Sequence, residues 1–432
     1  MVGTSGGQAS GERTGGAVDE PGTDVCVVGG GPAGLTLALL LLRSGAAVTV
    51  VEKARSTDRE YRGEILQPGG LRILDQLGVL AGARKRGGYE LTRFQLIDGD
   101  RAVLDMDYRR LPAPHNHLLS IPQPHVLDEL LDQCTRHAGF RYLAGHRVSA
   151  LRRDSASGRV TGVFAEHNGT RTAVPARCVV GADGRYSKTR QLADIANDRH
   201  EVFDQDVLWF RLPAAGPPSG RVRIFRSGAE PLLAYDSFPD AVQIGWTVPH
   251  GRYREVTDGG VEQVRAAVAR CLPEYAQAVR RHVRSWSDLT LLDVFGARAR
   301  RWAVDGLLLI GDAAHTHSPL GAQGINLAIQ DAAAAHPILV AALNDGDLGA
   351  QRLGEFERRR GRDIDAVMRF QVMQSKGMFA AGGIAGFLRP KVAGLLMHTP
   401  VGDRITRHVT LGNPDIRVHR DVRLVNQFAT NR

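Results

Sequence analysis

Residues 24–52 read as strand, glycine-rich turn, apolar helix and second strand. Residues 24–28 form a short apolar run. The turn carries Gly29-x-Gly31-x-x-Gly34, and residues 35–42 are apolar at nearly every position. Ser44 and Gly45 close that segment, and residues 47–51 are apolar and β-branched. This pattern predicts a βαβ unit with a parallel strand pair. Each glycine has a job. Gly29 permits the tight turn, Gly31 lets the backbone approach a pyrophosphate, and Gly34 lets helix and strand pack closely. Pro32 and Ala33 open the helix, whose unpaired N–H groups and positive dipole end favour an anion. Glu52 lies 18 residues beyond Gly34, the spacing of a carboxylate that holds a ribose. It can accept from both ribose hydroxyls and would repel a 2′-phosphate.

The rest of the chain has a different texture. Residues 71–80 have apolar positions at helical spacing and end at Gly82, and residues 124–137 are a second helix candidate. Residues 160–174 alternate as a hairpin around Asn168-Gly169. Short strands are expected at 178–181, 207–212, 221–225, 232–235 and 242–248, separated by Gly/Pro turns. A helix follows at 261–271. A buried strand at 307–310 leads into Gly311-Asp312, and helices run from Ile325 onward.

Composition narrows the class. The chain has 432 residues, enough for two or three domains, with 43% hydrophobic and 23% charged residues, as in a globular protein. Its net charge of +9 suits nucleic acid, an anionic membrane surface or an anionic cofactor. No nucleic-acid motif is present, so the cofactor reading is preferred. Cys26, Cys134, Cys178 and Cys271 are scattered without a CxxC pair. They read as reduced thiols of a cytoplasmic protein, with no metal site expected. Residues 1–23 are Gly/Ser-rich and expected to be disordered. No apolar run reaches the length of a membrane span.

The second motif is Gly311-Asp312-Ala313-Ala314-His315, continuing through Pro319, Gly321, Gly324, Ile325 and Asn326. A carboxylate just after a buried strand is placed to hold a polyhydroxyl chain. A glycine-rich stretch before a helix can press backbone N–H groups against a flat ring. A third, Gly181-Ala182-Asp183-Gly184, is followed by Ser187 and Arg190. In this order the three motifs resemble those of the para-hydroxybenzoate hydroxylase-like family of FAD-dependent aromatic-hydroxylase monooxygenases, over roughly residues 24–375.

The resemblance implies an α/β fold. A Rossmann-type FAD-binding domain (24–90, 115–200, 290–375) would carry an inserted, mostly antiparallel substrate-binding sheet (91–114, 201–289) and a helical C-terminal region (376–432). It implies FAD as cofactor and transient NADPH or NADH as electron donor. O2 would react with reduced flavin to give a C4a-hydroperoxide that hydroxylates or epoxidises a mid-sized, aromatic or polyketide-like molecule. It places Glu52 on the adenosine ribose, with Lys53 beside it where the family often has arginine. Arg62 would lie along the cofactor, Gln123 near the ribityl and phosphate, and Asp312 on the ribityl hydroxyls. Residues from Pro319 to Asn326 would face the ring, with Pro319 the one catalytic candidate in a flavin-centred reaction. Asp183 is either a ligand contact or a structural turn residue. His315 and His317 read as part of the loop and not as a metal pair.

Substrate candidates on the sheet are Trp209, Arg211, Arg223, Phe225, Tyr235, Gln243 and Trp246, of which alternation should send about half away from the pocket. Trp246 superficially resembles one half of the halogenases' double-tryptophan motif, whose second tryptophan is missing. Pro337 should kink the helix that contains it. The segment 378–399 could cap a pocket, touch a membrane or pack on the body of the protein. A flavin reductase and a non-catalytic flavin-binding protein remain alternatives, and monomer or homodimer is open.

Overall fold

The computed structural model describes residues 22–57, 64–200, 205–226, 231–319, 321–379, 399, 406–407 and 410–424. Its larger layer is an eight-stranded sheet. Five strands run parallel, in the order Leu307–Leu309, Thr170–Gly181, Thr23–Val28, Val48–Glu52 and Phe140–Ala144. The helices Pro32–Arg43, Gln123–Cys134 and Gly324–Asp345 pack together over it. Leu35, Leu37, Leu39 and Leu41 are all fully buried. A helix covered on every side needs no polar stripe, which is why this one reads as continuously apolar.

The strand Thr170–Gly181 joins two features that the sequence shows separately. Its first half pairs antiparallel with Val160–His167 around Asn168-Gly169. Its second half pairs parallel with Thr23–Val28 and ends at the Ala182-Asp183-Gly184 turn.

The second sheet has seven strands, in the order Thr290–Leu292, Gln205–Pro213, Ala241–Pro249, Leu232–Ser237, Arg221–Phe225, Arg93–Asp98 and Arg101–Asp107. All its pairs are antiparallel except Arg221–Phe225 with Arg93–Asp98. The helices Glu262–Cys271 and Ala276–His282 contribute to the core on one face. A small three-stranded sheet of Ile65–Leu66, Leu118–Ser120 and Tyr89–Leu91 lies beside the other.

Several expectations need correction. Thr23 is buried and opens the first strand, so the N-terminal extension stops short of it; residues 1–21 lie outside the described residues. The helix expected over 71–80 is two, Pro68–Gln76 and Leu80–Lys85, parted at Gly78 with φ +67°. A glycine there ends a helix by taking the left-handed conformation. The helix at 124–137 starts one residue earlier, at Gln123. Pro337 lies inside Gly324–Asp345 without ending it. That 22-residue helix is long and apolar enough to cross a membrane, contrary to the sequence expectation, but 78% of its apolar window is buried inside the protein. It is a core helix. Nearly all of 378–399 lies outside the described residues.

Candidate active site

The glycine turn has the geometry its spacing predicts. Gly29 has φ +108°, and a Cβ there would lie 2.4 Å from the Ala182 carbonyl oxygen; one on Gly34 would lie 1.9 Å from that of Gly29. Neither position can carry a side chain. A Cβ on Gly31, by contrast, meets nothing within 4 Å. The helix Pro32–Arg43 has no side-chain cap at its N-terminus. Unfilled space in front of an uncapped helix N-terminus suits a pyrophosphate.

Glu52 is 3% exposed. Its Oε2 accepts from Gly30 N at 2.6 Å and its Oε1 from Ala54 N at 2.8 Å. The two backbone donors aim the carboxylate beside the turn, and Lys53 next to it is exposed. Arg62 lies outside the described residues. Gln123 sits half-buried in the first turn of its helix.

Asp183 is tied into the turn. Its Oδ1 accepts from Ser187 Oγ at 2.5 Å, and its Oδ2 from Thr189 N at 2.8 Å and Thr189 Oγ1 at 3.0 Å. These bonds pin the start of the short helix Lys188–Leu192. Asp312 is partly exposed, with the Arg185 guanidinium 4.0 Å away.

The described loop residues, Pro319 and Gly321 to Asn326, are tightly held. Ala322 N donates to the Pro319 carbonyl at 2.9 Å. Gly321 and Ala322 have φ +76° and +51°. Alanine in the left-handed region is strained, a mark of a backbone held by its surroundings. Asn326 does part of the holding. It is fully buried, its Nδ2 donates to Ala322 O at 2.7 Å, and its Oδ1 accepts from Gln67 N at 2.8 Å. Gln67 Nε2 in turn donates to Gly321 O at 2.7 Å. Asn326, expected as a cofactor contact, shapes the loop. The helix Gly324–Asp345 starts there, again with no side-chain cap. Gly321, Gly324 and Ile325 are half-buried around that start.

Behind the loop lies a buried ionic chain. Asp331 is fully buried and accepts from Gly311 N at 2.9 Å, His315 Nε2 at 2.7 Å and Arg360 Nε at 2.8 Å. Burial alone would raise its pKa, but His315 and Arg360 outweigh it and bring the carboxyl down to about 2. His315 Nδ1 faces His317 Nε2 at 3.0 Å. Burial, reinforced by the neighbouring His315, lowers His317 to about 3, so it is neutral. The two histidines link the loop to Asp331.

The sheet register divides the substrate candidates. Arg211 pairs with Gln243, Trp209 with Gly245, and Tyr235 with Gln243, so Trp209, Arg211, Tyr235 and Gln243 share one face. Trp209 and Tyr235 belong to a core cluster that includes Ile65 and reaches Ala322 of the loop. This face turns toward the site. Trp209 lies across Gly245, where a Cβ would come 2.8 Å from the indole ring. Phe225 and Trp246 are on the opposite face, buried against the helices, and Arg223 is there too, 3.7 Å from Glu274. These three are corrections, since pleating sends them away from the loop.

Sequence reasoning missed Glu64, Gln67, Asp331 and Arg360. An acid amid the apolar run of residues 325–343 was a signal for Asp331, because a buried charge requires a partner. Asp206, His250 and Asp293 also cluster. Asp206 accepts from Val294 N, Gly251 N and His250, while Asp293 accepts from Tyr186 and Arg199. That cluster ties the sheet to the returning chain. Cys26, Cys134 and Cys178 are free, buried thiols pushed up to about 12 by burial.

The comparisons agree with this geometry. Residues 22–371 match the model described as an FAD binding domain. The chain is 53% identical over 400 residues to 6-methylpretetramide 4-monooxygenase of Streptomyces rimosus, covering 93% of this chain and 95% of that one. It is 31% identical over 319 residues to a rifampicin monooxygenase of Streptomyces venezuelae, covering 72% of this chain and 62% of that one. Among solved structures it resembles Pseudomonas aeruginosa PqsL in complex with 2-aminobenzoylacetate. There the TM-score is 0.72 and the identity 25%, over 83% of this chain and 97% of that one. The open turn at Gly31, the two uncapped helix starts as donors and the oriented Glu52 as acceptor fit FAD, and the chain belongs to the FAD-binding-domain family of flavin-dependent aromatic-hydroxylase monooxygenases.

Proposed function

We propose that this monooxygenase inserts one atom of O2 into an electron-rich ring of a flat, polycyclic aromatic molecule of polyketide type, with NADPH or NADH as the electron source. One observation carries the reading. An aromatic sheet face, with Trp209 and Tyr235 as its floor, shares a core with Ala322 of the glycine-rich loop. A planar substrate fits between such a floor and a ring held at the loop. The likeness to 6-methylpretetramide 4-monooxygenase over nearly the whole chain supports the substrate class.

Bound FAD supplies hydride acceptance and activation of oxygen. The chain does the rest. Gly29, Gly31, Pro32, Ala33 and Gly34 offer backbone and dipole to the pyrophosphate, Glu52 takes the ribose, and Asp312 the ribityl hydroxyls. The Pro319–Asn326 loop presents rigid backbone to the ring, and the apolar floor keeps water from the reacting atoms. Residues 91–114 and 201–289 act as the substrate domain on a discontinuous FAD domain. The four thiols suit a cytoplasmic setting.

The test is turnover under 18O2 with FAD, NADPH or NADH and tetracyclic or tricyclic polyphenols. The expected product carries one heavy oxygen. Nicotinamide oxidation that yields only hydrogen peroxide with every substrate overturns the reading.

A further inference from the structure

We propose that Arg211, held by Glu64 and Gln243, anchors an acidic oxygen of the substrate, a phenolate or enolate, at the end of the site remote from the flavin loop. The inference rests on the reading above and names the substrate feature that this site selects.

Arg211 is distinguished by charge and by exposure. Of the site-facing positions on the described strands between Gln205 and Pro249, Arg211 carries the one formal charge. Trp209, Tyr235 and Gln243 on that face are 6%, 2% and 1% exposed. The Arg211 side chain is 43% exposed. The floor is thus closed and uncharged, with a single cationic head standing above it.

That head is oriented. Glu64 is 4% exposed, forms a salt bridge with Arg211, and accepts from Ser237 Oγ at 2.8 Å. Arg211 Nε donates to Gln243 Oε1 at 3.0 Å, and Gln243 Nε2 donates to the Phe210 carbonyl at 3.0 Å. A guanidinium has five N–H donors in a fixed plane. Two carbonyl-type partners on one side fix that plane and leave its remaining edge for a planar oxygen acceptor, the recognition for which arginine is suited and lysine is not. Because Glu64 already balances the charge, the site favours a delocalised or weakly acidic oxygen over a strong dianion.

The same acid measures the position. Glu64 lies three residues before Gln67, through the strand Ile65–Leu66, and Gln67 bonds to Gly321 and Asn326 of the loop. An extended three-residue step is roughly 10 Å, about the length of a three-ring system. Arg211 therefore reads an oxygen at one end of such a molecule while the loop addresses the other.

The test is equilibrium binding to the FAD-loaded full chain, followed by flavin and tryptophan fluorescence. The probes are emodin, a tricyclic polyphenol, and physcion, its 3-O-methyl ether. Wild type should favour emodin, and Arg211→Ala should lose that preference by roughly 10- to 100-fold, the value of a charge-assisted hydrogen bond. Physcion affinity and FAD content should barely move. Arg211→Lys should recover only part of the preference. If Arg211→Ala does not fold, Arg211→Gln, which keeps the chain length, should show the same loss. Wild-type binding without preference, no binding of either probe, or an equal loss for both overturns the proposal and leaves Glu64–Arg211 as a brace. Oxygen insertion is not read here. Selective binding without turnover would count against the monooxygenase reading and not against this one.

Discussion

Asp331 has no exposed surface and three donors: a backbone N–H, a histidine and an arginine. Removing the charge leaves Arg360, itself 2% exposed, with only the less buried Asp363 as a carboxylate partner, at 3.1 Å. Breaking a buried pair from one side costs about 3–5 kcal/mol. Asp331→Asn should therefore lower the melting temperature markedly and release FAD, both visible in a thermal melt followed by flavin fluorescence. Glu52 is the contrasting case. Glu52→Gln sets an amide N–H against one of the donors Gly30 N and Ala54 N. It should weaken FAD affinity by roughly 10- to 100-fold, the value of a charge-assisted bond, and lower the melting temperature of the apoprotein by less than Asp331→Asn does. A titration of apoprotein with FAD checks this. The two acids also differ in how openly the sequence shows them. Glu52 stands at a fixed spacing from its glycines, a local relation. Glu64 and Asp331 take their meaning from partners at Arg211 and Arg360, found only when the chain has folded.

At the scale of elements, the helix Gly324–Asp345 places two neutral histidine environments in the FAD domain. His336, on the helix, faces Ser44 Oγ at 2.7 Å, and that hydroxyl also donates to the Val422 carbonyl at 2.8 Å. Burial, reinforced by His419 and Arg423, lowers His336 to about 4. His317 at the loop before the helix falls to about 3. A histidine depressed in the folded state takes up its proton first in the unfolded chain. Its contribution is complete above the unfolded value near 6.5 and is lost progressively as pH falls toward the folded value. For His336 that window is pH 6.5 to about 4, and the loss is roughly 3 kcal/mol. Urea denaturation across pH 7 to 4 should show this fall, and His336→Gln should flatten part of it. Strands show the limit of periodicity in the same way. Alternation yields two sets of side chains in the second sheet, but which set faces the loop depends on register with partner strands and on where the covering helices lie. Trp209 and Trp246 look alike in sequence; Trp209 reaches the site because Gly245 sits opposite it. Gly245→Val should displace that indole and weaken binding of emodin while sparing FAD affinity, measured by the same fluorescence titrations.

At the scale of the molecule, one four-residue stretch bridges the substrate sheet and the flavin loop. The stretch Glu64–Gln67 is fastened to the substrate sheet at Glu64 and to the flavin loop at Gln67. Between them, Ile65 and Leu66 pair with Ser120 and Leu119. Two further residues inserted there would keep the parity of the strand and add roughly 7 Å. With the substrate oxygen at Arg211 and the flavin ring at the loop, as proposed above, such a change would move the target past the source without altering either. The isomer ratio of the hydroxylated products, read by mass spectrometry and NMR, would shift with the inserted length. On the proposed reading, the carbon that is oxidised would be chosen by a count of backbone units in a segment that carries no reacting group.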